Sequence, residues 1–266
     1  MVIPNVLTIA GSDSGGGAGI QADLKTFSAL GAYGLSVVTA LTAQNTRGVS
    51  AVHPVPSDFV AAQLEAVFSD IRIDAVKLGM LANAGIIDTV ASYLRQSHAT
   101  EVVLDTVMIA KGGHSLLEPA AIQALREKLL PLATLITPNL PEAAVLLDCA
   151  PAETEDAMCE HGRALVALGA RAVLMKGGHL GGAESPDWLI TPTGETRFSR
   201  PRLATRHTHG TGCTLSAALA VLRPQMDGWP DTVMAARDYL QAALAAAERL
   251  QVGRGVGPVH HFHAWW

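Results

Sequence analysis

Residues 205–220 read Thr-Arg-His-Thr-His-Gly-Thr-Gly-Cys-Thr-Leu-Ser-Ala-Ala-Leu-Ala, so a glycine-containing loop runs directly into an apolar, alanine-rich helix. The first N–H groups of a helix have no partner inside it, and small residues let an anion approach that backbone closely. The loop Gly210-Thr-Gly-Cys213 is therefore predicted to cradle an anion, at a helix N-terminus that lowers the pKa of the Cys213 thiol. The alternative is a glycine turn before a packed helix, with Cys213 as a small buried apolar residue.

Outward from this loop, short apolar strands alternate with helical segments along the whole chain. Strands are predicted at residues 6–10, 35–41, 75–80, 102–105, 135–136 and 172–178, and a hairpin at residues 188–198. Such alternation predicts an α/β fold, with a mainly parallel sheet covered by helices on both faces and joined by right-handed crossovers. We find no repeat, linker or low-complexity stretch, so residues 1–266 are expected to form a single domain.

Glycine, acidic or amide residues recur where the predicted strands end. They are Gly11, Gly79, Asp105, Asn139 and Gly177. Because open parallel sheets bind ligands outside the carboxyl ends of their strands, these residues are expected to meet in one cleft.

The composition excludes several classes of protein. Of the 266 residues, 49% are apolar and 16% are charged, which provides a sizeable core and argues against disorder. A net charge of −5 disfavours a nucleic-acid-binding protein. No apolar run approaches the ~20 residues that span a bilayer, and the N-terminus lacks the basic segment of a signal peptide. The cysteines, at 149, 159 and 213, form no C-x-x-C pair, which suits a reducing cytoplasm.

A second glycine-rich loop follows the first strand and reads Gly11-Ser-Asp-Ser-Gly-Gly-Gly-Ala-Gly19. It lacks the Gly-Lys-Ser/Thr of a P-loop and the G-x-G-x-x-G spacing of a dinucleotide-binding turn. A flexible turn is one interpretation. We favour a loop that lets a flat small molecule lie against the backbone, because so many glycines carry an entropic cost that a simple turn does not require. Asp23, one turn into the next helix, could accept a hydrogen bond from a ligand or favour the positive helix end.

Other polar residues have a functional and a structural interpretation each. Gln44 offers the donor and acceptor that an aminopyrimidine edge requires, although a solvated loop glutamine is the commoner case. Asp105 lies at a strand end, and Asn139 and Glu142 lie three apart at a helix start. Glu142 could cap that helix or bind Mg²⁺ through water. Lys176 could contact a phosphate or simply solubilise a strand end.

Residues 256–266 read Val-Gly-Pro-Val-His-His-Phe-His-Ala-Trp-Trp. A zinc site formed by His260, His261 and His263 is conceivable, but their spacing matches no helical or finger pattern of zinc ligands. We favour an aromatic segment packed on the body of the protein or on a partner subunit.

Taken together, these motifs resemble the bacterial hydroxymethylpyrimidine and phosphomethylpyrimidine kinases of thiamine biosynthesis, within the ribokinase superfamily. The resemblance covers essentially the whole chain. The stretches that carry it are Ala10-Gly-Ser-Asp-Ser-Gly-Gly-Gly-Ala-Gly-Ile-Gln-Ala-Asp-Leu-Lys-Thr-Phe27, Thr42-Ala-Gln-Asn-Thr-Arg-Gly48, Lys77-Leu-Gly-Met80, Val103-Leu-Asp-Thr-Val-Met108, Thr137-Pro-Asn-Leu-Pro-Glu142, Met175-Lys-Gly-Gly-His179, His209-Gly-Thr-Gly-Cys-Thr214 and the C-terminal histidine- and tryptophan-rich tail.

The resemblance implies a ribokinase-like fold with about eight strands and little or no lid, and a homodimer. It implies ATP and Mg²⁺ as cofactors and two successive phosphoryl transfers. The first is to the hydroxymethyl oxygen of 4-amino-5-hydroxymethyl-2-methylpyrimidine, and the second converts the monophosphate to the diphosphate. Pyridoxal kinases form a nearby branch and are the alternative. A ligand-sensing module that has lost catalysis is disfavoured because the expected site is complete.

Site residues are carried over by the same resemblance. Gln44 is expected to contact the pyrimidine edge, and Gly11, Asp23, Met80 and Val107 to line the substrate pocket. Asp105, Asn139 and Glu142 are expected to organise Mg²⁺ and the ATP phosphates, which Lys176 also contacts. Gly210, Thr211, Gly212 and Cys213 form the expected anion hole. Most sugar kinases of the superfamily have an aspartate base at the position of Cys213, so the cysteine supports the narrower assignment and is expected to act as the base.

Overall fold

A nine-stranded sheet forms the middle layer of the protein in its computed structural model, which describes residues 2–97, 101–108 and 118–266. The strands are β1 (Asn5–Asp13), β2 (Tyr33–Asn45), β3 (Gly48–Pro54), β4 (Ala75–Leu78), β5 (Val102–Leu104), β6 (Leu135–Ile136), β7 (Val173–Lys176), β8 (Glu184–Thr191) and β9 (Gly194–Pro201). Their order is β3-β2-β1-β4-β5-β6-β7-β8-β9. The six central strands are parallel, whereas β3 at one edge and the β8–β9 hairpin at the other are antiparallel.

Helices cover both faces of this sheet, as the alternation of strands and helices predicts. They are α1 (Gly19–Ala29), α2 (Ser57–Phe68), α3 (Ala84–Ser97), α4 (Pro119–Ala124), α5 (Leu140–Leu147), α6 (Glu155–Ala167), α7 (Thr211–Leu222) and α8 (Trp229–Ala245). A π-helical turn, Leu125–Leu129, continues α4, and 3₁₀ turns follow α7 and α8 at Arg223–Gln225 and Ala247–Arg249.

Strand β1 shows how the sequence divides the core. Because successive strand side chains point to opposite faces, Val6 packs with α1, α7 and α8, whereas Leu7 and Ile9 pack on the opposite face with α2, α3 and α6. The core is therefore two apolar layers, one on each face of the sheet.

Strand β3 follows no sequence pattern that indicates a strand. The predicted strand ends at residue 41 and Gln44 is predicted as a loop residue, but β2 continues to Asn45 and turns back into β3. None of the residues of β3 is buried, so the apolar alternation that indicates a half-buried strand is absent. The hairpin β8–β9 is confirmed and is longer than predicted. Among the described helices, none is long and apolar enough to cross a bilayer.

Candidate active site

A cavity of about 530 Å³ lies at the carboxyl ends of β1, β4, β5 and β7, beside the N-terminus of α7. Parallel strands bring loops that are distant in sequence to this edge, as expected. Of the predicted site residues, those that line the cavity are Gly11, Gln44, Met80, Asp105, Val107, Asn139, Glu142, Lys176, Gly210, Thr211, Gly212 and Cys213. Asp23 is not among the lining residues.

The start of α7 has the geometry of an anion-binding turn. Gly210 is its N-cap and has a left-handed φ of 78°, and no described side chain caps the helix. A Cβ at Gly210 would lie 1.8 Å from the carbonyl oxygen of Gly17, so only glycine fits there. The N–H groups of Gly212 and Cys213, in the first turn of α7, therefore face the cavity, whereas that of Thr211 donates to the Thr208 carbonyl. Lys176 Nζ lies 3.7 Å from where a Cβ on Gly212 would be.

The prediction that Cys213 has a lowered pKa is wrong. Although Cys213 is partly open to the cavity, burial raises the pKa of its thiol to about 11. The ammonium of Lys77 acts in the opposite direction, but the carboxylates of Asp105 and Asp23 reinforce burial. Desolvation penalises the thiolate more than nearby positive charge favours it, so the resting residue is a neutral thiol.

Three charged side chains converge below the anion-binding turn. Lys176 Nζ lies 3.2 Å from Asp105 Oδ1 and 3.9 Å from Glu142 Oε2. Burial favours the neutral form of each group. For Lys176 the two carboxylates outweigh burial and raise its pKa, so it remains a cation. For Asp105 the ammonium of Lys176, followed by that of Lys77, outweighs burial and lowers its pKa.

Glu142 is a helix cap that also faces the cavity. Its backbone N–H donates to Asn139 Oδ1 at 2.8 Å, and its Oε2 accepts from the Asn139 N–H at 2.9 Å and from the Thr106 hydroxyl at 3.0 Å. The structural interpretation of Glu142 is therefore confirmed. These contacts use Oε2 and leave Oε1 for a second role.

No described group of three or more histidine, cysteine or acidic side chains is arranged to hold a metal alone. This result also removes the support for zinc at the C-terminal histidines. Asp105 and Glu142 nevertheless fit Mg²⁺, because that ion keeps several waters and binds proteins through one or two carboxylates together with substrate phosphates.

The expected place of Asp23 in the pocket needs correction. Its side chain is fully buried, and both of its oxygens accept from Lys77 Nζ at 2.9 Å. Its Oδ2 also accepts from the Thr8 hydroxyl at 2.6 Å. Burial disfavours the ammonium of Lys77, but Asp23, with smaller contributions from Cys213 and Asp105, outweighs burial and raises the pKa of Lys77, which lines the cavity. Asp23 therefore lies one layer behind the pocket and acts on it through Lys77.

The glycine-rich loop after β1 is not a second anion site. Asp13, within the loop, accepts from the N–H groups of Gly15, Gly17 and Ala18 at 2.8, 3.0 and 2.9 Å. These donors are already used by an internal carboxylate. His209 Nε2 lies 2.9 Å from the same carboxylate.

His209 was missed by the sequence analysis. Its Nε2 also lies 3.4 Å from Gln44 Nε2, while the Thr42 hydroxyl donates to Gln44 Oε1 at 3.2 Å. The pair of His209 and Asp13 joins positions 196 residues apart. An aspartate before a glycine run signals an Asx turn, but nothing local indicates its histidine partner.

A second cavity of about 420 Å³ lies on the other side of the anion-binding turn. Leucines of α7, α8 and the segment after β9 form an apolar wall, and arginines of β9 and α8 lie beside it. The two cavities share Asn139, Lys176, His179, Thr208, Thr211 and Gly212. Sequence periodicity did not reveal this cavity, because its walls come from elements far apart in the chain.

Two cavities that meet at a helix N-terminus and a partly buried lysine fit one class of protein, a small-molecule kinase, in which a phosphoryl group passes from one bound molecule to the other. The sequence model of the Phosphomethylpyrimidine kinase family matches residues 13–260. The chain belongs to this family.

Relatives from two bacteria are similar over nearly their full length. The chain is 64% identical over 262 residues to a hydroxymethylpyrimidine/phosphomethylpyrimidine kinase of Salmonella typhimurium, covering 98% of each chain. It is 53% identical over 260 residues to the protein of that name from Rhizobium meliloti, covering 98% of this chain and 97% of the relative.

Solved structures agree with the fold. A Bacillus subtilis pyridoxal kinase in an ADP complex has a TM-score of 0.91 at 37% identity, with 99% of each chain covered. A phosphomethylpyrimidine kinase from Clostridium difficile has a TM-score of 0.81 at 42% identity, covering 90% of this chain and 99% of that one. The α/β ribokinase-like fold predicted from the sequence is confirmed, and the protein is a phosphotransferase.

Proposed function

We propose that the protein phosphorylates 4-amino-5-hydroxymethyl-2-methylpyrimidine to its monophosphate and then to its diphosphate, with ATP as donor, in thiamine biosynthesis. The observation that carries this proposal is the position of the anion-binding turn between two cavities that share Lys176 and Gly212. The names of the relatives supply the substrate class, since the geometry alone fits any ring-borne alcohol of this size.

In the proposed arrangement the pyrimidine occupies the first cavity. Gln44 contacts its amino-substituted edge, and the Thr42 hydroxyl, which lies 3.2 Å from Gln44 Oε1, holds the amide in place. Gly11, Met80 and Val107 provide the remaining contacts with the ring. A Cβ at Gly11 would lie 2.4 Å from the methyl group of Met80, so the absent side chain is what lets Met80 pack against the Gly11 backbone in the cavity wall.

The nucleotide occupies the second cavity, with its phosphates directed toward the shared residues. A structural neighbour, a Staphylococcus aureus pyridoxal kinase in complex with AMP-PCP and pyridoxal, matches with a TM-score of 0.90 at 32% identity, covering 99% of this chain and 95% of that one. Lys176 contacts the transferred phosphoryl group, and the N–H groups of Gly212 and Cys213 receive its developing charge. Asp105 and Glu142 would hold Mg²⁺ through water, and the ion would neutralise phosphate charge.

Cys213 is proposed to accept the proton of the hydroxymethyl group. Only the small fraction of the enzyme in which Cys213 is a thiolate can do so. Phosphoryl transfer depends first on alignment and charge stabilisation, so a base adds to the rate without being essential. In the second transfer the acceptor is a phosphate oxygen that is already ionised, so no base is required there.

The direct test supplies ATP and Mg²⁺ with the aminopyrimidine alcohol, its monophosphate or pyridoxal in parallel reactions, and identifies the products by mass. We expect mono- and diphosphate products from the pyrimidine, with ATP consumed only when an acceptor is present. Absence of product from both pyrimidines would refute the proposal. Preferential turnover of pyridoxal would establish the alternative, which rests on the likeness to the pyridoxal kinases.

A cytoplasmic homodimer is part of the same proposal. The three cysteines are free thiols, as a reducing compartment requires. Leu41 and Val52, on the neighbouring strands β2 and β3, are 51% and 42% exposed at the sheet edge, where a second copy would cover them. Light scattering after gel filtration tests this: a mass near twice 27.8 kDa supports the dimer, and 27.8 kDa contradicts it.

A further inference from the structure

Residues 255–261, which we call the C-terminal strap, lie against the loops that build the first cavity. Gly255 N–H donates to the Thr46 hydroxyl at 3.1 Å, and Val256 N–H donates to the Thr46 carbonyl at 2.8 Å. Thr46 follows Gln44 by two residues. The His209 N–H donates to the Gly257 carbonyl at 3.0 Å, one residue before the anion-binding turn. The strap thus joins the turn between β2 and β3, which follows Gln44, to the loop that enters α7.

The strap ends in a buried contact with the first turn of α7. His261 Nε2 lies 3.0 Å from the hydroxyl of Thr214, and the two residues are 5% and 0% exposed. Thr214 donates through that hydroxyl to the Gly210 carbonyl at 2.8 Å. Since a threonine hydroxyl has one hydrogen, His261 is the donor at Nε2. A second contact fixes the strap, because the Tyr239 hydroxyl donates to the His261 carbonyl at 2.7 Å.

This chain of two hydrogen bonds ends on the residue that sets the anion-binding turn. Gly210 has a left-handed φ of 78° and lies against the Gly17 carbonyl, so its peptide has little room to rotate without displacing the N–H groups that follow. The same Gly210 oxygen also accepts from the Thr214 N–H at 2.8 Å. Burial lowers the pKa of His261 to about 3, so the imidazole is neutral and its bonding pattern constant at physiological pH.

We propose that His261 is a positioning residue for phosphoryl transfer: through Thr214 it holds the Gly210 carbonyl so that the N–H groups of Gly212 and Cys213 face the transferred phosphoryl group. The role rests on the proposed kinase function. A buried imidazole and a buried hydroxyl each need a hydrogen-bond partner, whereas two apolar side chains would pack here without one. Packing alone therefore does not require this pair. The C-terminal strap is therefore part of the active site, although none of its residues lines the cavity in the described structure.

The test compares three single variants. His261→Phe keeps the ring and removes the donor, whereas His261→Gln keeps an N–H donor near the position of Nε2. His263→Phe is the matched control, because His263 packs on the Tyr239 ring at 5.5 Å in the same tail. We expect His261→Phe to lose about 10- to 100-fold in kcat, with both KM values within about threefold, because misplacement by ~1 Å has effects of that order. His261→Gln should recover most of the rate, and His263→Phe should match the wild type.

A second measurement does not depend on any substrate. Hydrogen exchange at the amides of residues 214–216, followed by mass spectrometry, should be faster in His261→Phe than in the wild type and unchanged in His263→Phe. Wild-type kcat and wild-type exchange in folded His261→Phe would overturn the proposal. Inactivity of the wild-type enzyme on every alcohol would refute the kinase assignment instead, and the exchange data would still decide the role of the strap.

A double variant guards against simple loss of folding. Thr214→Val removes the same hydrogen bonds from the other side, so combining it with His261→Phe should reduce kcat no further than the more damaging single change. Multiplicative losses in the double variant would show independent effects and contradict the proposed chain. Thermal unfolding of each variant identifies any that fail to fold, and Thr214→Ser, which keeps the hydroxyl, should then retain the wild-type rate.

Discussion

Replacing Cys213 with alanine should have a pH-dependent effect on phosphorylation of the alcohol. With a thiol pKa of about 11, roughly 10⁻⁴ of the enzyme carries a thiolate at pH 7 and about 3% at pH 9.5. A fully ionised general base contributes about 10²–10⁴ in rate. Multiplying the two gives a wild-type advantage below about twofold at pH 7 and of about 4- to 300-fold at pH 9.5.

The assay measures initial rates of ADP formation for the wild type and Cys213→Ala between pH 7 and 9.5, with saturating ATP. The sign follows from the direction of the shift: because burial raises the pKa, the thiolate fraction increases with pH throughout this range. The pyrimidine monophosphate is the control acceptor. Its phosphate oxygen is ionised near neutral pH, so the ratio of the two enzymes should stay flat for this substrate.

Two results would refute this reasoning. A wild-type rate about 100-fold above that of Cys213→Ala at pH 7, with a ratio that does not change with pH, would show that Cys213 is already a thiolate at neutral pH. Burial would then not be the main influence on the pKa of Cys213. An advantage near one at every pH would remove Cys213 from proton transfer and leave the backbone turn as the catalytic element.

Three further predictions concern single residues of the cavity. Gln44→Ala should raise the KM for the pyrimidine by roughly 5- to 150-fold while the KM for ATP stays nearly constant, because an unmatched buried polar group costs about 1–3 kcal/mol; an unchanged pyrimidine KM in steady-state assays would exclude Gln44 from ring recognition. Glu142→Gln keeps a capping oxygen, so its unfolding temperature should be close to that of the wild type while its activity falls and is partly restored by extra Mg²⁺; full activity with an unaltered Mg²⁺ titration would leave Glu142 as a cap alone. Gly210→Ala should lose at least ~100-fold in kcat and about 1–3 kcal/mol of stability in urea unfolding, because the left-handed φ of residue 210 disfavours a Cβ that would also meet the Gly17 carbonyl. Gly181→Ala is the control, because its Cβ would meet nothing within 4 Å. Equal effects of the two changes would contradict the argument.

The fold was predictable because its signals are local. Apolar strand segments, glycine-containing loops and helix starts each lie within a few neighbouring residues, and the rule that parallel strands present their carboxyl ends at one edge assembles them. The same rule places Gln44, Asp105 and Lys176 at one cavity. The capping box of Asn139 and Glu142 is likewise a pattern of three residues in sequence.

The chemistry of individual groups depended on partners that sequence spacing does not reveal. A helix N-terminus favours a thiolate, but the raised pKa of Cys213 comes from burial and from carboxylates at positions 23 and 105. The fully buried ion pair of Asp23 and Lys77 joins residues 54 apart. Because sequence spacing does not reveal this pair, the position of Asp23 behind the pocket was not foreseeable. Strand β3 was missed because its side chains face solvent and follow no apolar pattern.

The most direct test of the account is a crystal structure of the protein with an unreactive ATP analogue, Mg²⁺ and the aminopyrimidine alcohol. We predict that the terminal phosphate lies within hydrogen-bonding distance of the N–H groups of Gly212 and Cys213 and of Lys176 Nζ, with the hydroxymethyl oxygen facing it from the first cavity. A terminal phosphate bound instead at the N–H groups of Gly15, Gly17 and Ala18, in place of the Asp13 carboxylate, would contradict the account.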